Sequence, residues 1–405
     1  MALAAFIVYA LWPDPHDKTV IPVSVVQPKA AEAATIYIDN SASMKGYSHG
    51  DEYIGALSDL ASLYPNTSVQ FTSGGQTLNS GSELVNKLTN GTLDYSGQSL
   101  LNKDLEGIVN FLKTKGNENK IAFFVTDGIM CGPDSAVAKA RKAGHHWNLE
   151  HRQELMNQIT DVYNGKGIAA SVSQLVSSFN GEYFDMDNNH SVINAQRSFY
   201  IIAMGNAAAV QEYKEKVAKK QGDPLFKIRP VQEVDFIQNH TMNTGLIMTG
   251  GVNGSAPITI GPNGTALFEY NKIKNYPVSL ILNMNTFSNF SFKPSDLTDS
   301  VKVFIDGVTY KDIKAIYDEP NKAIRVNIDW SHIGTSSKIE IKIPYLEAPW
   351  LTLASNENDN FMITGRPDES TFLFNYFIGG IRNGLRQNSG DFIFDEVVNM
   401  KQNKH

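Results

Sequence analysis

The stretch Thr35-Ile36-Tyr37-Ile38-Asp39-Asn40-Ser41-Ala42-Ser43 decides how this chain is read. Its first four residues are apolar, aromatic or β-branched, the make-up of a short buried strand. One carboxylate and two hydroxyls follow at alternating positions. A second run, Lys120-Ile121-Ala122-Phe123-Phe124-Val125-Thr126, is apolar almost throughout, as a strand buried on both faces of a parallel sheet is. It also ends in a carboxylate, Asp127, followed by Gly128. In an open α/β sheet, ligands bind beyond the carboxyl ends of the strands. Two acidic strand ends therefore point to one site.

Working outward, strands alternate with helices. Residues 53–64 carry Ile54, Leu57, Leu60, Ala61 and Tyr64 at helical spacing, and Pro65 stops the helix. Residues 68–72, 171–178 and 198–204 read as strands, with 179–184 as a bend. Residues 100–113 form the clearest helix, with Leu101, Leu105, Ile108 and Leu112 as one stripe. Residues 149–163 and 207–220 are two more, and Lys214, Lys216, Lys219 and Lys220 read as a solvated face of the latter. The alternation predicts an α/β fold over residues 34–235, with a doubly wound, mostly parallel, Rossmann-like sheet. From 236 to 350, β-rich runs separated by Pro262-Asn263-Gly264 and Asp306-Gly307 predict an antiparallel β-sandwich domain. Residues 351–405 read as a tail with a C-terminal helix over 368–387. Phe374, Phe377, Ile378, Ile381 and Leu385 line one face, and Gly379-Gly380 weaken it. Such a stripe is more often core than a partner surface.

Composition narrows the function. The chain has 405 residues, of which 42% are hydrophobic and 19% charged, enough to bury a core in each of two or three domains. A net charge of -7 and a pI near 5.7 argue against nucleic acid as a partner. The single cysteine, Cys131, rules out an intrachain disulfide and any Cys-based metal cluster. Residues 1–33 read as an N-terminal apolar anchor stub and linker. The apolar run from Ala2 to Trp12 is too short to cross a bilayer unaided, so it reads as the end of a membrane helix, as an interfacial anchor or as an ordinary buried segment, the anchor being the expectation. Pro13, Pro15, Pro22 and Pro28 and an alanine-rich run follow it as a spacer. The expected localisation is membrane-associated and extracytoplasmic.

The oxygen-only donors suit a hard divalent cation, which takes about six oxygen ligands, waters among them. Gly97-Gln98-Ser99 opens the Leu101 helix and brings a further hydroxyl near the two strand ends. Over residues 34–235 the chain resembles the von Willebrand factor A (VWA) family with its metal-ion-dependent adhesion site (MIDAS). The resemblance rests on Asp39-Asn40-Ser41-Ala42-Ser43, Ser99 and Thr126-Asp127-Gly128. It implies metal ligation by Asp39, Ser41, Ser43, Ser99 and Asp127, with Mg²⁺ as the ion and Mn²⁺ or Ca²⁺ as alternatives. Ser99 stands where the family has threonine, and Thr92 and Ser96 are fallback hydroxyls. The resemblance further implies a protein partner whose acidic residue completes the coordination.

Other chemistries fit less well. A phosphoryl-transferring aspartate would want a second carboxylate where Ser41 stands. His145, His146 and His151 do not have a zinc spacing. Cys131 has no partnered base. Residues 129–148 read as a long loop at the ligand-bearing edge. No second acid or base is placed near Asp39 or Asp127, so no enzyme is expected. Two functions remain. One is a metal-dependent, adhesion-type binding module. The other is a scaffold subunit of a multi-protein machine, for instance beside an AAA+ ATPase, with a structural or degenerate metal site.

Overall fold

The computed structural model describes residues 19–20, 31, 33–73, 77–95, 100–236, 246–249, 258–260, 266–268, 278–283, 294–320, 323–344, 348–357, 370–389 and 392–402. They fall into two compact units. One comprises residues 28–241 and 347–390, the other 1–27, 242–346 and 391–405.

The first unit is mixed α/β. Its strands are β1 (Ala33–Ile38), β2 (Thr67–Phe71), β3 (Thr77–Leu78), β4 (Lys120–Thr126), β5 (Ala169–Phe184), β6 (His190–Gly205) and β7 (Gln232–Phe236). They form one sheet in the order β3-β2-β1-β4-β6-β5-β7. Its helices are α1 (Asp51–Leu63), α2 (Gly81–Thr89), α3 (Leu101–Lys113), α4 (Asp134–Lys142), α5 (Trp147–Glu150), α6 (Arg152–Tyr163), α7 (Ala207–Lys220), α8 (Trp350–Leu353) and α9 (Phe374–Ser389). Alternation along the central strands divides the core. Ile36 and Ile38 of β1 and Ile121, Phe123 and Val125 of β4 pack with α1, α2 and α7. Tyr37, Ala122 and Phe124 pack on the opposite face with α3, α6 and α9.

The sheet is mixed rather than mostly parallel. Only the β2–β1 and β1–β4 pairings are parallel. β6 returns antiparallel beside β4, and β5 and β7 continue antiparallel. The cause is a long hairpin. β5 and β6 pair over their full length, from Ala169↔Gly205 to Phe184↔His190, so residues 179–184 continue the strand instead of bending. The helices that escaped the sequence reading include α2 and α4. In α2, Ser80 Oγ accepts from Glu83 N at 3.2 Å while the Glu83 carboxylate accepts from Asn79 N at 2.9 Å, a box that caps the first turn. α4 lies inside residues 129–148, which are therefore not one long loop.

Residues 351–405 do not form a single helical tail. α9 belongs to the α/β unit, whereas Phe392–Gln402 is a strand of the other unit. Phe374, Phe377, Ile378, Ile381 and Leu385 are all buried in the α/β core. The glycines of α9 permit its contact with α6. A Cβ on Gly380 would lie 2.7 Å from Ile159 Cβ, and one on Gly384 would lie 2.4 Å from the Thr160 carbonyl oxygen. The residues that weaken the isolated helix are the ones that let its backbone approach its neighbour.

Lys214 departs from the solvated face predicted for α7. It is buried, with Nζ 2.8 Å from Glu233 and 3.3 Å from Asp235. Burial alone would pull its pKa down, but Asp235 and Glu233 outweigh that and raise it.

The second unit holds two sheets. One runs Thr19–Val20, Leu246–Thr249, Val278–Asn283, Ala323–Ile328, Lys314–Asp318, antiparallel throughout. The other runs Ile258–Ile260, Ala266–Phe268, Phe392–Gln402, Ser336–Pro344, Lys302–Ile305, Val308–Tyr310 and is antiparallel except where Ala266–Phe268 meets Phe392–Gln402. Thr19 and Val20, expected in a linker, therefore pair as an edge strand. Ala2 to Trp12 lie outside the described residues. Among the described residues no helix is long and apolar enough to cross a membrane.

Two stability measurements check this packing. Gly384→Ala drives a methyl into backbone and is expected to cost about 1–3 kcal/mol in chemical denaturation. Lys214→Met leaves two carboxylates without their cation and is expected to cost about 3–5 kcal/mol; a neutral result would show that the cluster contributes nothing.

Candidate metal-binding cleft

The parallel pairing of β1 with β4 brings the two acidic strand ends together. Ile38 pairs with Val125, and Asp39 N donates to Val125 O at 2.9 Å, so Asp39 and Asp127 emerge from adjacent strands. Asp39 then bends the chain. Its Oδ1 accepts from Ser41 N at 2.9 Å, and a 3₁₀ helix, Ala42–Tyr47, follows. Thr126 Oγ1 donates to Asp39 Oδ2 at 2.7 Å and accepts from Gly128 N at 3.0 Å, which locks the two turns to each other. Gly128 has φ +71°, and a Cβ there would sit 3.0 Å from Tyr200 and 3.1 Å from Phe374. The turn after Asp127 thus requires glycine both for its conformation and for the space.

Ser43 Oγ donates to Asp127 Oδ2 at 2.5 Å, and the Ser41 and Ser43 hydroxyls are 3.1 Å apart. Asp127 Oδ1 accepts from Ile129 N at 3.1 Å. Asp39, Ser43 and Asp127 are buried, and Ser41 is half-buried. Burial, and after it the charge of Asp39, pushes the Asp127 carboxyl up to about 6, against the opposing pull of Ser43, Ile129 N and Arg197.

These four residues line one side of a cavity of about 390 Å³. Leu100, Leu101 and Ile129 supply apolar wall, and the 131–134 segment faces Phe184 and Asn188 from the β5–β6 turn. Ser99 and its fallback Ser96 lie outside the described residues, although Leu100, next to Ser99, reaches the cavity. Thr92 is exposed, with its hydroxyl 3.4 Å from Lys87 O, and does not line the cavity. Cys131 lines it, but burial, then Asp127, Asp39 and Asp134, push its thiol up to about 12, so it stays protonated at neutral pH. The three histidines diverge. His145 meets Glu150 at 3.1 Å, His146 meets Asp187 at 3.0 Å, and His151 stacks on Trp147 at 4.2 Å.

Sequence reasoning missed two contributors. Thr126 orients Asp39, and its place before Asp127 was a readable signal. Arg197 is buried beneath the cleft with its guanidinium 4.3 Å from the Tyr183 ring, hydrogen-bonded to Tyr47 and acting electrostatically on Asp127. Nothing local to its strand announced it.

Among the described residues, no group of three or more His, Cys, Asp or Glu converges on a metal position. Any cation in this cleft therefore depends on the serine hydroxyls. Two carboxylates and two hydroxyls are an oxygen-only set, which fits Mg²⁺, Mn²⁺ or Ca²⁺ and not a soft ion. Comparison with protein-family models, curated proteins and solved structures finds no match for this chain.

Because the folded pKa of Asp127 lies above its ordinary value, its ionised form opposes folding at neutral pH. That penalty disappears as pH falls through about 6 toward 4. Asp127→Asn keeps the shape, with Nδ2 able to donate to Ser43 Oγ. It is expected to melt above the unsubstituted protein at pH 7 without divalent cation, the gap closing toward pH 4. A variant that melts lower at pH 7 would contradict this account of the site.

Proposed function

We propose that the chain is a metal-dependent protein-binding module of VWA type. Asp39, Ser41, Ser43 and Asp127, with Ser99 as the further hydroxyl, hold Mg²⁺, and Mn²⁺ or Ca²⁺ can replace it. An acidic residue of a protein partner completes the ion's coordination. The observation that carries this reading is the meeting of Asp39 and Asp127, two carboxylates from adjacent strands, with the Ser41 and Ser43 hydroxyls at one wall of a cavity. Two buried carboxylates side by side favour a cation between them and solvent. The protein's own part is to hold the oxygens in place. Thr126 fixes Asp39, and the 3₁₀ turn fixes Ser41 and Ser43. The second unit, read as a β-sandwich, sets geometry, and residues 1–33 tether the molecule at a membrane on its extracytoplasmic side.

One observation favours the second reading, a scaffold subunit with a degenerate site, for instance beside an AAA+ ATPase. The Ser41–Ser43–Asp127 and Thr126–Asp39 bonds already satisfy one another without an ion.

Thermal melting of the intact chain in EDTA and in Mg²⁺, Mn²⁺ or Ca²⁺ separates them. A cation at about 100 times its dissociation constant stabilises by about 2.7 kcal/mol. The shift should be absent in Asp39→Ala and reduced in Ser43→Ala. No shift with any of the three ions would sink the metal-dependent reading in favour of the scaffold.

A further inference from the structure

The cleft has a roof made of two parts distant in sequence. The first is the turn of the β5–β6 hairpin, residues 185–189, which carries on from cavity-lining Phe184. The second is the segment from Cys131 to Asn148. Polar contacts clip them together. Asn148 Nδ2 donates to Met186 O at 2.8 Å while its Oδ1 accepts from Gly132 N at 2.8 Å. Asn188 Nδ2 donates to Asp134 Oδ1 at 2.9 Å. Arg141 Nη1 donates to Asn189 Oδ1 at 2.5 Å and to Asp187 O at 3.3 Å. His146 Nδ1 lies 3.0 Å from both carboxylate oxygens of Asp187. Gly132, Pro133 and Asp134 from one part and Phe184 and Asn188 from the other line the cavity, so these clips join two stretches of its wall.

We propose that the His146–Asp187 contact is a pH-sensitive latch that holds the hairpin turn on the 131–148 segment and governs access to the cleft. The latch stands on its own geometry; its meaning as a gate rests on the cation-binding reading above.

Histidine is the side chain that changes charge between about pH 5 and 8. The His146 side chain is 48% exposed and so can exchange its proton with water, while that of Asp187 is 9% exposed. A protonated ring gives this sheltered carboxylate a charge-assisted bond. A neutral ring offers only an ordinary hydrogen bond through the same nitrogen, and Asp187 loses its nearest cationic partner. The other charges around the pair are committed elsewhere. Arg141 is bound to Asn189 and to the Asp187 carbonyl. Glu150 is bound to His145, and Asp134 to Asn188. Asp185 accepts from Asp187 N and Asn189 N within the turn. His151 is stacked on Trp147. His190, at the base of the turn, lies 3.4 Å from Glu182 and stacks on Phe184, contacts that stay within the hairpin and do not join it to the 131–148 segment.

Hydrogen exchange of amides 185–190 in the intact, metal-free chain tests the latch. After correction for intrinsic rates, protection should fall about five- to tenfold between about pH 6 and pH 8, the difference between a charge-assisted and an ordinary bond. It should be low and flat in His146→Gln. Equal protection at both pH values, or the same fall in His146→Gln, overturns the proposal. Alkylation of Cys131, the chain's one cysteine, reads the gate from inside the cavity. Its rate relative to a free thiol should rise as protection falls, and a rate that does not follow overturns the gating role. Asp39→Ala keeps the two ideas apart. It should lose the cation-induced melting shift and retain the pH-dependent protection.

Discussion

Everything in the α/β unit is arranged around two carboxylates that leave adjacent parallel strands side by side. β1 and β4 pair in a register that leaves Asp39 and Asp127 as neighbours with almost no solvent. Burial, and after it the like charge of Asp39, raises the carboxyl of Asp127. The surrounding structure answers with hydroxyls from Ser41, Ser43 and Thr126, with backbone amides, and with buried Arg197. These offset the charge in part. The remainder keeps the Asp127 carboxyl raised.

That constraint explains features that would otherwise look unrelated. Gly128 has to be glycine because the chain turns sharply between Tyr200 and Phe374 just after Asp127. Phe374 is held there by α9, which rejoins the α/β unit after residues 242–346 of the other. The α9 glycines let that helix sit against α6 closely enough to bury its aromatic face. The turn after Asp127 thus depends on residues that lie more than 240 positions later in the chain.

The β5–β6 hairpin does for the roof what α9 does for that turn. Its antiparallel return places Arg197 under the carboxylates and carries Phe184 and the 185–189 turn over them. A parallel strand in that position would have required a crossover and would have left the cavity without this wall. The departure from a mostly parallel sheet is therefore what encloses the site.

Much of this was legible in the sequence, because strand and helix periodicity and the chemistry at strand ends are local. The apolar runs before Asp39 and Asp127, the hydroxyls of Ser41 and Ser43, the glycine after Asp127 and the stripe of α3 can all be read within a few residues. They were enough to define an α/β unit, the two central strands and the acidic end of the sheet. What remained depended on contacts between residues far apart along the chain, which no local pattern carries. Lys214 looks like its solvated neighbours until β7 brings Glu233 and Asp235 against it. Gly380 looks like a helix breaker until α6 lies on it. Arg197 comes to act on Asp127, and His146 meets Asp187, only when a long hairpin runs antiparallel beside β4. Local residue pattern determined which groups could do chemistry. Long-range strand pairing decided which of them meet, because a buried charge is tolerated only where the fold supplies its partner.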